Sequence, residues 1–407
     1  MEYNRRESNA QGVKNVRFVR YRLPKRQTQI LQGCIMKYSE INNRIEEIRT
    51  EANVPYLDVI CYQSHKEIYR YVSGEHATGK ELLYMYSCGK PVTVTAALRL
   101  VEDGKMSLDD PVMKYLPEVE NAFILDEKGE KIRVGEKMTV RHLFTMTAGF
   151  TYNLATPPIL ELASAKKETA VLRDFIPKFV ETPLSFTPGQ QFQYSLCHDV
   201  LAAVMEVVSK KKFSQYVKEE IFAPLQMHNS SFDNHEQNVE DVYFANADKS
   251  VVKINEGKIL LPTPNYESGG GGLVSTAEDY IRFADALACG GIAKNGYSVL
   301  SQKGVRDLAT EQMRNISVNN TFTCVQGEDY GYGLGVRVRQ KPTAWGLPIG
   351  EFGWDGAAGS YVMIDPQRQV SVFIGMHVRN WPEVFTEKHL QIVESIYKAF
   401  FTQTENA

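Results

Sequence analysis

Long apolar runs are missing from this 407-residue chain. No stretch of about 18 apolar residues occurs, so a transmembrane helix is not expected. Glycine (29) and proline (17) are too scarce for a collagenous chain or a Pro/Gly-driven disordered one. The six cysteines (Cys34, Cys61, Cys88, Cys197, Cys289 and Cys324) form no CxxC. Neither a zinc framework nor a disulfide scaffold is implied, and reduced thiols in a cytoplasmic protein are the expectation. The eight histidines are dispersed, with no ligand-like pair. GxSxG, HExxH, GxxxxGK[ST] and a strand-linked GxGxxG are all absent, so the sequence calls for no metal, phosphate or dinucleotide cofactor.

A net excess of either charge is also missing. The formal net charge is -3, which argues against nucleic-acid binding. It is unevenly spread. Residues 1–37 carry nine Lys/Arg and two Glu, so +7, leaving -10 for the rest. This basic segment has no apolar core of the roughly 7–15 residues that an export signal needs. It lacks core-forming periodicity and reads as a disordered extension, with a transit-like or nucleic-acid-touching arm as the alternative.

What is present is ordinary globular patterning. Ile41, Ile45 and Ile48 recur at helical spacing and predict a helix over 39–52. Residues 57–62 and 68–72 alternate as strands around a polar turn at 64–67. A helix opens at Tyr86-Ser87-Cys88-Gly89-Lys90 and runs to Gly104. Residues 105–250 read as mostly helical. Ser275 with Glu278 has capping-box spacing and predicts the next helix start. Strands are expected over 332–338, 359–364 and 370–376, with a turn at 365–369 and a closing helix over 385–401. The expected architecture is α+β. Residues 38–104 and 251–407 build a domain with an antiparallel sheet, and 105–250 form a helical insertion.

The chemistry resides in Ser87-x-x-Lys90. A serine hydroxyl is a weak nucleophile and needs a base. One helical turn on, Lys90 shares its face. The helix N-terminus favours negative charge on the serine and disfavours a protonated lysine. Read alone, Ser87 is equally an N-cap and Lys90 a solvated helix residue.

Other segments lie in a telling order: Leu108-Asp109-Asp110-Pro111, His142-Leu143-Phe144-Thr145-Met146-Thr147-Ala148-Gly149, Phe186-Thr187-Pro188-Gly189 with Tyr194-Ser195, Pro224-Leu225-Gln226-Met227 and Gly271-Gly272-Leu273-Val274-Ser275-Thr276. Together with Ser87-Cys88-Gly89-Lys90 they resemble the serine β-lactamase-related family over about residues 38–400. That family spans class C β-lactamases, DD-peptidases, family VIII esterases and acyltransferases. The resemblance implies a β-lactamase/transpeptidase-like fold, Ser87 as nucleophile, and Lys90 with Tyr194 as proton relay. It implies an oxyanion hole from the backbone N–H groups of Ser87 and Ala357, and a substrate pocket involving Trp354, Gly356, Leu196, Tyr152 and Tyr266.

Two departures narrow the implied activity. The second motif reads Tyr194-Ser195-Leu196, so Leu196 replaces the usual Asn. The third reads Trp354-Asp355-Gly356, which lacks the cation that would meet a β-lactam or peptide carboxylate. Both point toward an esterase on small or medium acyl esters, with acyl transfer, weak β-lactamase- or DD-peptidase-like activity, or a silent binding or scaffold protein as alternatives. The expected partner is a small-molecule acyl substrate, with neither nucleic acid nor membrane. The sequence says nothing of oligomeric state. Taken singly, Tyr194 and Trp354 also read as core aromatics, and Cys88 as an inert buried thiol or a redox-sensitive one.

Overall fold

The structure, a computed structural model, describes residues 25–233, 238–254, 261–314, 316–318 and 329–402, with side chains from residue 37 onward except 317–318. The basic residues up to Arg22, and Cys324, lie outside the described residues.

A seven-stranded antiparallel sheet organises the fold. Its strands are β1 (Leu57–Gln63), β2 (Lys66–Ser73), β3 (Tyr330–Tyr332), β4 (Arg337–Arg339), β5 (Phe352–Asp355), β6 (Tyr361–Asp365) and β7 (Val370–Gly375), in the order β3-β4-β5-β6-β7-β1-β2. Two of these come early in the chain and five late. The β1–β2 turn at Ser64 and His65 has φ of 49° and 67°, the mirror-image turn that matches strand twist.

Side-chain alternation assigns the two faces of the sheet. Val59, Cys61, Met363, Val372 and Ile374 face one hydrophobic cluster. There they meet Ile41, Ile45 and Ile48 of α1 (Lys25–Glu51), and Ile392, Val393 and Ile396 of the closing helix. Ile60, Val362, Ile364 and Phe373 face the other cluster. It contains the apolar sides of α2 (Gly89–Glu102), α3 (Cys197–Ser209) and α4 (Ala277–Ala288). The fold is therefore the expected α+β one, with helices on both faces of an antiparallel sheet. Among the described residues no helix is long and apolar enough to cross a membrane.

Several local expectations are corrected. Helix α1 begins at Lys25, well before residue 39, because Lys, Arg, Gln and Leu sustain a helix once Pro24 is passed. The strand expected over 332–338 is two strands around a tight turn, in which Gly333 N–H donates to Val336 O (2.8 Å). Gly335 there has φ 88° and lies against α2; a Cβ would sit 2.4 Å from Val94 Cγ1. Thr276, not Ser275, caps α4, its hydroxyl accepting from Asp279 N–H (3.2 Å). The strand β5 was not expected at all. The middle of the chain also contains short hairpins, at Phe123–Leu125 with Lys131–Arg133 and at Val242–Ala245 with Val251–Ile254. The closing helix (α5, His389–Phe400) is preceded by a π-helical turn, Val384–Lys388.

Candidate active site

Backbone pairing first brings the distant segments together. Leu83–Tyr84 pairs antiparallel with Val274–Ser275, and Met85 N–H donates to Leu273 O (2.9 Å). The glycine run 269–272 is thereby set beside the 3₁₀ turn Tyr86–Cys88 that opens α2. From the other side, β5 delivers the turn 356–360, closed by Gly356 N–H to Ser360 O (2.7 Å). A Cβ at Gly356 would lie 2.3 Å from Met85 O, so only glycine lets this turn approach so closely. Ala357 consequently lines the same cavity as Ser87. Tyr86, just before the nucleophile, holds φ 46°, a strained conformation for a bulky residue.

Lys90 is completely buried. Its Nζ donates to Ser87 Oγ (3.1 Å), Gly270 O (2.5 Å) and Tyr152 OH (3.3 Å). It also sits over the Tyr194 ring, 4.5 Å from the centroid. Burial brings its pKa down to about 7, against an opposing pull from the nearby Asp199 carboxylate. A lysine with this pKa is substantially neutral near pH 7 and can accept the serine proton.

Three aromatic rings stack beside it. Tyr152 and Tyr194 are 5.5 Å apart, and Tyr194 and Trp354 5.6 Å, each pair within 25° of parallel. Trp354 Nε1 donates to Tyr194 OH (3.2 Å). Burial raises the Tyr194 pKa, and hydrogen bonds from Ser87 and Trp354 only partly oppose it. At neutral pH Tyr194 is therefore a phenol and not a standing phenolate.

The cavity over Ser87 has a volume of about 200 Å³. Tyr86, Tyr152, Leu154, Tyr194, Leu196 and Leu261 supply most of its wall, and among the described residues no charged side chain lines it. Leu196 and Tyr152 both line this cavity. Trp354 stands one layer back, behind Tyr194. Tyr266 is also displaced from its expected place: it is buried edge-on against Phe175, facing Asp199, away from the cavity. Asp355 does not line the cavity; it meets Arg337 and His389, each 3.6 Å off. Cys88 is fully buried with its Sγ against Trp354 O and its thiol pKa pushed well up by burial, which makes it inert. A larger cavity of about 540 Å³, bordered by Tyr56, Glu81 and His377, holds no nucleophile paired to a base.

Sequence reasoning missed Asp199. It lies in the first turn of α3, buried, and accepts from Ser268 Oγ (2.6 Å) and from Gly270 N–H. A Cβ at Gly270 would come within 2.6 Å of its Oδ2. Thr93 Oγ1 donates to Gly269 O (2.7 Å). Loop 268–270 is therefore clamped so that the Gly270 carbonyl meets Lys90. The available signal was an acid in the first turn of a largely apolar helix, five residues after Tyr194. His198 beside it is a neutral imidazole, its pKa driven down to about 3 by burial and then by Lys90.

Comparison with known proteins places the family and the fold. A family profile described as Beta-lactamase matches residues 41–395. Esterase EstB of Burkholderia gladioli is 28% identical over 324 residues, 72% of this chain and 76% of that protein. The solved structure of "EstCE1, a hydrolase with promiscuous acyltransferase activity" superposes with a TM-score of 0.72 at 23% identity, covering 89% of this chain and all of that one. Simvastatin synthase (LovD) of Aspergillus terreus gives 0.72 at 17% identity, covering 89% and 98%. At such identities the two structures speak for the fold alone.

Proposed function

This chain belongs to the beta-lactamase family, and from that premise we propose that it is an esterase that forms an acyl-enzyme on Ser87 with small or medium acyl esters. The observation that carries the reading is the buried, half-neutral Lys90 at 3.1 Å from Ser87 Oγ, beneath a small uncharged cavity. Neutral Lys90 takes the Ser87 proton as Oγ attacks the ester carbonyl. The oxyanion is met by the backbone N–H groups of Ser87, in the first turn of its helix, and Ala357. The proton then travels from Lys90 through the Tyr194 hydroxyl to the leaving alkoxide, which departs as an alcohol. Water, or a second alcohol, attacks the acyl-enzyme by the same route in reverse.

The uncharged lining and Leu196 favour an apolar acyl group over a β-lactam or peptide carrying a carboxylate, which would be desolvated there without a partner. The same apolar wall favours acyl transfer to an alcohol as a second activity of the site. The four described cysteines are free, which suits a reducing, cytoplasmic setting.

A fluorophosphonate probe should label the wild type and not Ser87→Ala, and p-nitrophenyl acetate and butyrate should be hydrolysed. Absence of both labelling and hydrolysis would favour a silent binding protein. Added alcohol should divert product to a new ester if transfer competes with hydrolysis. Nitrocefin turnover should be slow or absent.

A further inference from the structure

Away from Ser87, the described residues contain one cluster of three metal-capable side chains: His65, Asp285 and Cys289, with ligand atoms all within 4.8 Å of one another. We propose that this cluster binds a borderline-soft divalent cation, zinc being the best match, and thereby clips the β1–β2 hairpin to α4. It is separate from the acyl chemistry, which uses none of these groups.

The elements preorganise the donors. His65 occupies the mirror-image turn at φ 67°, which directs it onto α4. Asp285 and Cys289 are four residues apart at the end of that helix, so they share a face. His65 N–H donates to Asp285 Oδ1 (3.1 Å), while its ring Nδ1 lies 2.7 Å from Oδ2. Cys289 Sγ is 3.8 Å from Oδ1.

Zinc bonds of about 2.0–2.3 Å in a tetrahedron require ligand atoms roughly 3.3–3.8 Å apart. The three ligand atoms already lie within 4.8 Å of one another; the His65 Nδ1–Asp285 Oδ2 pair, at 2.7 Å, needs to open by only about half an ångström, and Cys289 Sγ, 3.8 Å from the neighbouring Oδ1, needs a small side-chain adjustment to meet Oδ2. In doing so the cation replaces the hydrogen bond of the pair, and the Cys289 proton leaves to solvent. The His65 backbone N–H can keep holding Oδ1, the kind of outer contact that orients a metal-bound carboxylate.

The donor chemistry is selective. One imidazole nitrogen, one carboxylate and one sulfur suit zinc and its neighbours, whereas calcium and magnesium demand oxygen throughout. The Asp285 side chain is 5% exposed, but that of His65 is 29% exposed. The site is therefore anchored on the protein side and open to a water as fourth ligand.

The test is a cobalt(II) titration of the reduced, metal-stripped full chain, followed by zinc competition. The expected result is tetrahedral d–d absorption with a thiolate-to-cobalt charge-transfer band, displaced by zinc. Cys289→Ser should lose the charge-transfer band, and His65→Ala should bind at least about tenfold more weakly. Zinc should raise the Tm of the wild type and not of Cys289→Ser. Both variants should keep wild-type p-nitrophenyl butyrate activity, which shows that they are folded. A wild type with no charge-transfer band, or a Cys289→Ser with unchanged spectrum and affinity, would overturn the proposal; the former would leave His65–Asp285 as a structural hydrogen-bonded pair.

Discussion

Lowering the pH below neutrality protonates the proposed base. With Lys90 near pKa 7, about half of the lysines are neutral at pH 7, about nine-tenths at pH 8 and about one-tenth at pH 6. The acid limb of kcat/KM for p-nitrophenyl butyrate should therefore bend near pH 7 and fall about tenfold per unit below it. Asp199→Asn sharpens the test. Asparagine can still accept from Ser268, so the 268–270 loop keeps its main anchor. What it removes is the charge that favours protonated Lys90. The limb should move to lower pH by about one unit, equivalent to roughly 1.4 kcal/mol between the two states of Lys90. Stopped-flow or steady-state assays from pH 5 to 9, on both proteins, read this directly. A wild-type profile flat from pH 6 to 8 would refute Lys90 as the base. A limb that stays put in Asp199→Asn, with activity merely lowered, would refute the electrostatic coupling and leave Asp199 a loop anchor.

Three further predictions rest on separate contacts. Trp354→Phe keeps the stack on Tyr194 but deletes the Nε1 donor; kcat should drop by about tenfold with little change in KM, since the loss is on the proton relay. Gly356→Ala would drive a Cβ toward Met85 O at 2.3 Å, so esterase activity should largely vanish and the Tm should fall. Lys90→Met should abolish activity yet raise the Tm at pH 7. A depressed lysine pKa means that the unfolded chain holds more protons between pH 7 and 10.5, and folding is opposed throughout the lower part of that window. Relieving the burial should outweigh the lost hydrogen bonds by on the order of 1–2 kcal/mol; a fall in Tm would contradict this.

The parts of this molecule that were readable from sequence are those governed by short-range spacing. Ser87 and Lys90 are one helical turn apart, and that alone predicts their meeting. The apolar, strand-forming content of 57–62 and 370–376 marks strands, and it located β1 and β7 closely. Where one residue serves two neighbours far apart in sequence, the signal disappears. Asp199 reads as a helix-start acid, and only folding sets it against Ser268 and Gly270. Trp354 and Tyr266 were assigned to the pocket through the family resemblance, and motif position cannot tell a wall residue from one packed behind it. The strand β5 was hidden because Phe352-Gly353-Trp354-Asp355 is buried on both sides and shows no polar alternation. His65 and Asp285 are 220 residues apart, so no scan for paired ligands in the chain could join them.

The claim at the centre is a covalent bond between Ser87 and an acyl group. Incubation with a slowly deacylating ester, a quick acid quench and intact-mass spectrometry tests it, with peptide mapping to locate the adduct. The account predicts one acyl mass added to the wild type, mapped to Ser87, absent in Ser87→Ala and strongly reduced in Lys90→Met. An adduct on another residue, or turnover of the ester undiminished in Ser87→Ala, would contradict it.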